Sequence, residues 1–274
     1  MITTFVCGKE KCVSMKNIVS LLLLICAAGF YTIFSQPISN QPSSEKLTIK
    51  SDSVEDNSSP IERLYQEINL GDKLKFEVFE MAMLGFDNLS LRNKDIVTII
   101  DFSLPSTEKR MYVIDLQHKK LLFHSIVSHG RNSGEKYATS FSNRHGSFQS
   151  SLGFYVTEGT YIGGNGYSLV INGMERGIND QAKPRAVVIH GADYCSPSFI
   201  KNTGRLGRSY GCPALPRELN KPIINTIKGG TGLFIYADNP EYMANSKIIQ
   251  KPETLLAAHR ELPDIPPSAG AILN

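Results

Sequence analysis

The hydrophobic pattern of this chain changes character several times along its length. An unbroken apolar run, IVSLLLLICAAGFYTIF, covers residues 18–34 and follows a lysine-containing segment that ends with Lys16. A positive flank before a short apolar stretch is typical of an export signal. The run also has about the minimum length for crossing a bilayer. We therefore expect residues 1–35 to be either a cleaved signal peptide or an N-terminal membrane anchor.

A polar stretch separates this segment from the first amphipathic pattern. Residues 36–60 are rich in Ser, Pro, Asn and Gln, a composition typical of a flexible linker. From Ile61 to Ile68 apolar residues recur at intervals of three and four, which predicts a helix. A second helix is predicted over residues 73–84, with Gly85 marking its end.

The period then changes from helical spacing to alternation. Val, Ile, Tyr and Phe become frequent, and glycines and turn dipeptides separate the segments in which they occur. Such segments predict strands at residues 95–103, on both sides of a turn at 118–120, and at 153–156, 168–171, 186–189 and 233–236. The pattern indicates a mainly β domain over 61–240 with a small helical N-terminal segment, followed by a C-terminal tail, 241–274.

Composition adds limits on function rather than a positive assignment. The 274 residues are 20% charged and 41% hydrophobic, which is ordinary for a globular protein. The net charge of +3 is too small to indicate a nucleic-acid partner. Of five cysteines, only Cys195 and Cys212 belong to the predicted β domain, which predicts neither a disulfide framework nor a metal cluster. A disulfide between these two would block Cys212, and we expect Cys195 to be a bystander thiol.

The candidate chemistry lies in RAVVIHGADYCSPSFIKNTGRLGRSYGCPALP, residues 185–216. His190 directly follows a short apolar run, where a buried strand would hold the imidazole rigidly at a cleft. Cys212 follows in SYGCPAL, and Gly211 allows the backbone special dihedral angles there. A thiol has an ordinary pKa of about 8.5, and a neighbouring imidazole can accept its proton. The pattern predicts Cys212 as a nucleophile that attacks a carbonyl and His190 as its base.

Other residues are candidates for binding a substrate or supporting the site. His129 lies in a second His-Gly pair after an apolar run, which makes it a rival base or a cleft-lining residue. Guanidinium groups suit carboxylates, so Arg185 and Arg208 are candidates for substrate binding, with a structural salt bridge or a solvated loop as the alternative. Ser209 either hydrogen-bonds the substrate or shapes the turn.

The segment closely resembles the L,D-transpeptidase catalytic domain, especially the branch with an HGADY…GRLGRS-aromatic-GCPA signature. The resemblance extends from about residue 73 to residue 238, and the signature is long and ordered. It implies a sandwich of mixed sheets with the nucleophile on a loop in a cleft. By this resemblance Cys212 is the nucleophile and His190 the base of a catalytic domain over 61–240.

The resemblance also implies roles for backbone groups. The carbonyl of Gly191 would orient His190, and amides near Tyr210, Gly211 and Cys212 would form the oxyanion hole. Many family members carry His directly before the Gly-Cys pair, and Tyr210 occupies that place here.

For function, the resemblance implies an exported enzyme of the periplasm or cell envelope that acts on peptidoglycan stem peptides. It opens a stem tetrapeptide between the L-centre of its diamino acid and the terminal D-alanine. The acyl group is held as a thioester and passes to an amine of a neighbouring stem, which crosslinks two diamino acids. The resemblance implies no metal or organic cofactor, and we expect a monomer.

Three alternatives remain open. Water as acceptor would make the protein an L,D-carboxypeptidase, and loss of turnover would leave a catalytically silent wall-binding domain. The Cys/His pair by itself is also compatible with a peptidase that acts on proteins.

Overall fold

The computed structural model of the protein describes residues 58–249. The predicted signal or anchor, nearly all of the predicted linker, and the tail beyond residue 249 lie outside this range. Helix α1, Pro60–Ile68, begins where the side chain of Ser59 accepts the Glu62 N–H at 3.1 Å. It ends at Asn69, which adopts the left-handed conformation common after helices. The first predicted helix is confirmed.

Helix α2, Phe76–Asp87, corrects the second helix prediction at its end. Gly85 lies inside the helix, and a Cβ at this position would be 2.0 Å from Cζ of Phe154. The glycine therefore lets the helix approach an aromatic ring on the sheet, and it does not terminate the helix. Phe154 in turn stacks on Phe234, with ring centroids 4.3 Å apart, in the centre of the main core.

Eight strands form one mixed sheet in the order β3-β2-β1-β8-β4-β5-β6-β7. The pairs β1–β8 and β6–β7 are parallel, and the other neighbours are antiparallel. The predicted mainly β class with a small helical N-terminal segment is confirmed. The strands are β1 Ile96–Asp101, β2 Met111–Asp115, β3 Lys120–Ser125, β4 Gly153–Gly163, β5 Gly166–Gly173, β6 Val188–Gly191, β7 Ala214–Leu215 and β8 Gly232–Tyr236.

Each predicted strand coincides with one of these. Strand β6 begins at Val188 rather than at residue 186, because Ala186 has a left-handed φ of 56° that a strand does not accommodate. Three further helices complete the described chain, and the hydrophobic pattern did not predict them. They are α3 Pro197–Thr203, α4 Arg217–Ile227 and α5 Pro240–Asn245.

The two outer strands of the sheet are joined through the segment that follows β3. The N–H of Ser128 donates to the carbonyl of Ala214 in β7 at 2.8 Å, and the Ala214 N–H returns a bond at 3.4 Å. Two residues later Gly130 forms a parallel bridge with Ser209. We call these two bridges the seam. They bring residues 128–131 against the chain that leads into Cys212.

Near the C-terminal end of the described residues, α5 extends beyond residue 240, where the sequence predicts that the catalytic domain ends. The buried carboxylate of Glu175 accepts bonds from the Phe154 N–H at 2.7 Å, from the Tyr242 hydroxyl at 3.2 Å and from the Ser246 hydroxyl. Glu175 thereby ties the chain after β5 to α5. Within residues 58–249, no helix is both long and apolar enough to cross a membrane.

Candidate active site

Strand β6 and the turn before β7 bring the predicted nucleophile and base onto adjacent backbone segments. The His190 N–H donates to the carbonyl of Pro213 at 3.4 Å, directly after Cys212 in the chain. The half-buried thiol of Cys212 accepts the Val188 N–H at 3.5 Å and donates toward the Ala186 carbonyl at 3.8 Å. The sulfur is thus held beside the beginning of the strand whose far end carries His190.

The His190 ring is buried and oriented by its neighbour. Its Nδ1 lies 3.1 Å from the carbonyl oxygen of Gly191. Donation from Nδ1 to this acceptor leaves the lone pair on Nε2, the atom that can accept a proton. Gly191 also packs closely, since a Cβ there would lie 3.0 Å from Cβ of Asn220. Burial lowers the pKa of His190, and the positive charge of Arg217 lowers it further.

The pKa of the Cys212 thiol is raised. Burial is the main cause, and the Val188 N–H and the Arg185 guanidinium act in the opposite direction. A raised thiol pKa and a lowered imidazole pKa together favour a neutral pair at neutral pH. A neutral imidazole with a free lone pair is the form that the predicted general-base role of His190 requires.

Ser209 shapes the turn that carries the sulfur. Its hydroxyl donates to the Cys212 carbonyl at 2.6 Å and accepts the Gly211 N–H at 3.0 Å. Gly211 has a φ of 123°, and a Cβ there would be 2.8 Å from the carbonyl oxygen of Gln149, so only glycine fits. The Gly211 amide expected in the oxyanion hole is engaged by Ser209. Within residues 58–249, the amides of Tyr210 and Cys212 make no hydrogen bond to another residue.

The sequence matches the family model described as L,D-transpeptidase catalytic domain over residues 70–236. This chain belongs to the L,D-transpeptidase catalytic domain family. Members of this enzyme family act on peptidoglycan stem peptides and are generally cell-envelope enzymes. No curated protein matches the sequence.

Several solved structures are similar to the described chain at low sequence identity. An L,D-transpeptidase from Mycobacterium smegmatis is 12% identical, with a TM-score of 0.33, over 52% of this chain and 59% of that one. The L,D-transpeptidase (Yku) from Stackebrandtia nassauensis is 14% identical, with a TM-score of 0.33, over 66% and 77% of the two chains. The helical cell shape determining protein of Campylobacter jejuni is 15% identical, with a TM-score of 0.36, over 59% and 53%. This chain thus spans about three fifths of the length of the mycobacterial protein.

In this L,D-transpeptidase domain, the two arginines predicted to bind substrate are engaged by protein groups. Arg208 pairs with Glu135 at 2.6 Å and donates to the carbonyls of Arg131 and Gly134, each at 3.1 Å. Arg185 holds the loop of residues 142–151 against the turn of residues 209–212, which we call the nucleophile turn after the predicted role of Cys212. Its four acceptors are the Ser142 carbonyl at 2.7 Å, Ser151 Oγ at 2.7 Å, Ser147 Oγ at 3.2 Å and the Gln149 carbonyl at 2.7 Å.

His129 occupies the interior of the domain rather than an open cleft. Its side chain is 1% exposed, Nδ1 lies 2.8 Å from Nη2 of Arg110, and Nε2 lies 3.3 Å from the Gly134 carbonyl. Burial, followed by the charge of Arg110, lowers the pKa of His129 to about 4. Both ring nitrogens of His129 therefore contact protein groups, which leaves neither of them free for the predicted role as rival base or substrate ligand. Its carbonyl instead accepts the Ser209 N–H at 3.0 Å and supports the nucleophile turn.

Tyr194 is a residue near the nucleophile to which the sequence pattern assigned no role. Gly207 donates its N–H to the Tyr194 carbonyl at 2.8 Å, and a Cβ on Gly207 would be 2.3 Å from Cβ of Tyr194. This contact packs the HGADY segment against the GRLG segment. Burial raises the pKa of Tyr194, and the nearby thiols of Cys212 and Cys195 raise it further.

Cys195 is a free, fully buried thiol, as is typical of a structural cysteine. Burial raises its pKa to about 12, so it carries almost no thiolate at neutral pH. Cys212 is the more accessible of the two thiols in the described chain. Within residues 58–249, no cluster of three or more His, Cys, Asp or Glu side chains could hold a metal ion.

Proposed function

We propose that the domain is a peptidoglycan L,D-transpeptidase that uses Cys212 as nucleophile and His190 as general base. The observation that carries the proposal is the half-buried Cys212 thiol, held on a constrained turn beside strand β6, which carries the oriented His190. Membership of the family supports a stem tetrapeptide as the donor. The predicted export segment at residues 1–35 would deliver the domain to the cell envelope.

The reaction follows from the two side chains and the turn. His190 Nε2 takes the thiol proton as sulfur attacks the carbonyl at the L-centre of the diamino acid. The amides of Tyr210 and Cys212 stabilise the oxyanion that forms. The imidazolium then gives its proton to the departing D-alanine amine, which leaves a thioester on Cys212. An amine of a second stem attacks the thioester and loses its proton to His190. The crosslinking amide forms as the C–S bond breaks, and the released Cys212 thiolate takes the proton back from His190.

The first test is turnover of wall fragments that carry tetrapeptide stems. We expect mass spectrometry to show crosslinked stems and released D-alanine with the wild-type protein. Cys212→Ala should lower the rate by at least about 10³-fold, because it removes the nucleophile. Cys195→Ala is the matched control and should retain activity, since this thiol lies outside the proposed chemistry.

The products also distinguish the alternatives. Tripeptide without any crosslink would identify an L,D-carboxypeptidase that uses water as acceptor. No product from the wild-type protein would refute the proposed enzyme and favour a silent wall-binding domain. A carbapenem supplies an independent measurement, because a reactive Cys212 should gain the mass of one carbapenem, whereas Cys212→Ala should not.

A further inference from the structure

Three side chains stack together beside the nucleophile turn. The guanidinium carbon of Arg131 lies 4.6 Å from the ring centroid of Phe148 and 4.8 Å from that of Tyr210. The two rings are themselves in contact, with centroids 4.9 Å apart and planes at 50°. We call this group the cation–aromatic stack. Tyr210, which is 66% exposed, lies two positions before Cys212 and places the stack next to the site.

The seam holds the stack in place. The Arg131 N–H donates to the Ser209 carbonyl at 2.7 Å, directly beside the Gly130–Ser209 bridge. Phe148 has a φ of 55°, a left-handed value that is costly for a bulky residue and persists only where the surroundings enforce it. Its carbonyl accepts the Asn132 N–H at 3.2 Å, which ties the two loops together. The position of the stack is therefore fixed by backbone hydrogen bonds.

Arg131 differs from Arg185 and Arg208 in what its guanidinium contacts. Within residues 58–249, no carboxylate pairs with Arg131, and its guanidinium donates no hydrogen bond to the protein. Arg185 and Arg208 have their donors occupied by carbonyls, hydroxyls and Glu135. Stacking on aromatic faces orients a guanidinium while its N–H edge stays available. Arg131 therefore presents an oriented, unpaired cation beside the nucleophile.

We propose that Arg131 binds a carboxylate of the donor stem peptide, with Tyr210 and Phe148 holding its guanidinium in position. This assignment rests on the proposed function, in which the substrate is a stem peptide with free carboxylates. A planar guanidinium forms two parallel hydrogen bonds with a carboxylate and far weaker ones with a carboxamide. Arg131 is thus a specificity-determining residue that selects acidic over amidated stems. The carboxylate of the terminal D-alanine and the other carboxylates of the stem are the possible sources of this group.

The experiment compares wild type, Arg131→Met and Arg144→Met on a series of tetrapeptide donors. In the series each carboxylate is converted to the carboxamide in turn. Arg144 is the matched control, because it is an exposed arginine in the neighbouring loop and lies outside the stack. For the fully acidic donor we expect Arg131→Met to lower kcat/KM by about tenfold or more, mainly through KM. Arg144→Met should stay within about twofold of wild type.

The decisive readout is the preference of each protein for the acid over the amide. One amidated donor should lose about tenfold in kcat/KM with wild type and nothing further with Arg131→Met, because the same contact is already absent. That donor identifies which carboxylate is bound. A structural effect of the substitution would lower activity on every donor equally and leave the preference intact.

The outcomes separate this inference from the proposed function. If wild type turns over the acidic donor and Arg131→Met keeps the full preference at every carboxylate, only the Arg131 assignment is refuted. If the wild-type protein does not turn over the donor and the Cys212→Ala variant does not bind it, both the proposed function and the Arg131 assignment are refuted. If Arg131→Met does not fold, the Arg131→Lys variant replaces it, and the acid-over-amide preference of wild type across the donor series tests the assignment. If the wild-type protein has the same kcat/KM for every amidated donor as for the acidic donor, the assignment is refuted.

Discussion

Burial acts on the two reactive side chains in opposite directions because their charged forms have opposite sign. It raises the pKa of the Cys212 thiol and lowers that of the His190 imidazole. The positive charge of Arg217 adds to the effect on the imidazole, and Arg185 only partly offsets the effect on the thiol. The resting site therefore holds a thiol and a neutral imidazole rather than a thiolate–imidazolium pair. Under the proposed function, proton transfer from Cys212 to His190 would accompany attack on the substrate.

This resting state predicts the pH dependence of thiol alkylation. In Cys195→Ala protein, the rate of Cys212 modification by iodoacetamide should rise about tenfold per pH unit from pH 6 to 8, because only the thiolate reacts. The thiolate fraction is small throughout this range, since the pKa of Cys212 is raised. The mass of the proteolytic peptide that contains Cys212, followed against time, gives the rate, because the full chain also contains Cys7, Cys12 and Cys26. A rate that is already constant at pH 6 would indicate a preformed ion pair and contradict the assignment.

At the scale of elements, α2 packs on the sheet through a glycine rather than through a side chain. Gly85 lies in the helix at the point where the ring of Phe154 from β4 meets it. Phe86 adds an edge-to-face contact with the same ring at 5.5 Å. The helix therefore approaches the sheet more closely than an alanine would permit.

Gly85→Ala should consequently destabilise the protein, although glycine to alanine inside a helix normally stabilises by about 0.5–1 kcal/mol. The added Cβ would overlap Phe154, and overpacking of this kind costs about 1–3 kcal/mol. Urea unfolding measures the free energy of unfolding of both proteins. Gly71→Ala is the control, because nothing lies within 4 Å of its Cβ position, and it should change stability by less than about 0.5 kcal/mol. A stabilised Gly85→Ala protein would contradict the packing.

The local sequence pattern predicts those elements whose structure is determined by their own side chains. Strands β1, β2 and β8 are short runs rich in β-branched and aromatic residues and are buried at almost every position, whereas β3 also has exposed positions. Strand β7 has two residues and no period of its own, and it exists through its pairing with β6. Helix α4 contains Pro222, which a local pattern treats as a helix breaker, while the buried Ile223, Ile224 and Ile227 hold it against the core.

The same distinction applies to the site. The residues proposed as nucleophile and base lie in one contiguous signature, so a local pattern is enough to nominate Cys212 and His190. The state of His129 depends on Arg110, a distant residue that only folding brings to its ring. Arg131 reaches the site next to the seam, and Phe148 reaches it through contacts with Arg131 and Tyr210. Contacts between distant segments leave no periodic trace in a sequence, which is why these roles emerge only from the structure.

At the scale of the whole molecule, one buried carboxylate joins the sheet to the last described helix. Glu175 accepts bonds from the Phe154 amide and from the hydroxyls of Tyr242 and Ser246. Burial raises its pKa above the ordinary value of 4.5, and these bonds offset the effect only in part. The folded protein thus holds this proton more tightly than the unfolded chain. The resulting stability is present below pH 4.5 and is lost as pH rises through the folded pKa.

Glu175→Gln removes this ionisation and should change the pH dependence of stability. The glutamine variant should gain stability relative to wild type as pH rises from 5 to 8, because it never places a charge in the interior. Any hydrogen bond lost with the substitution shifts the difference by the same amount at every pH. Urea unfolding of both proteins at several pH values measures the trend. Parallel curves would show that the Glu175 carboxyl does not titrate differently in the folded state.

The seam determines when, during folding, the turn around Cys212 becomes ordered. Residues 128–131 and 209–214 are far apart in sequence, and each is needed to fix the turn around the sulfur. Contacts between such distant segments carry a large loop-closure cost and cannot persist until the intervening strands are in place. A chain in which these strands are not yet paired therefore carries the thiol of Cys212 on an unconstrained segment. The turn that holds the sulfur is thus completed late in folding, after β6 and β7 have joined the sheet.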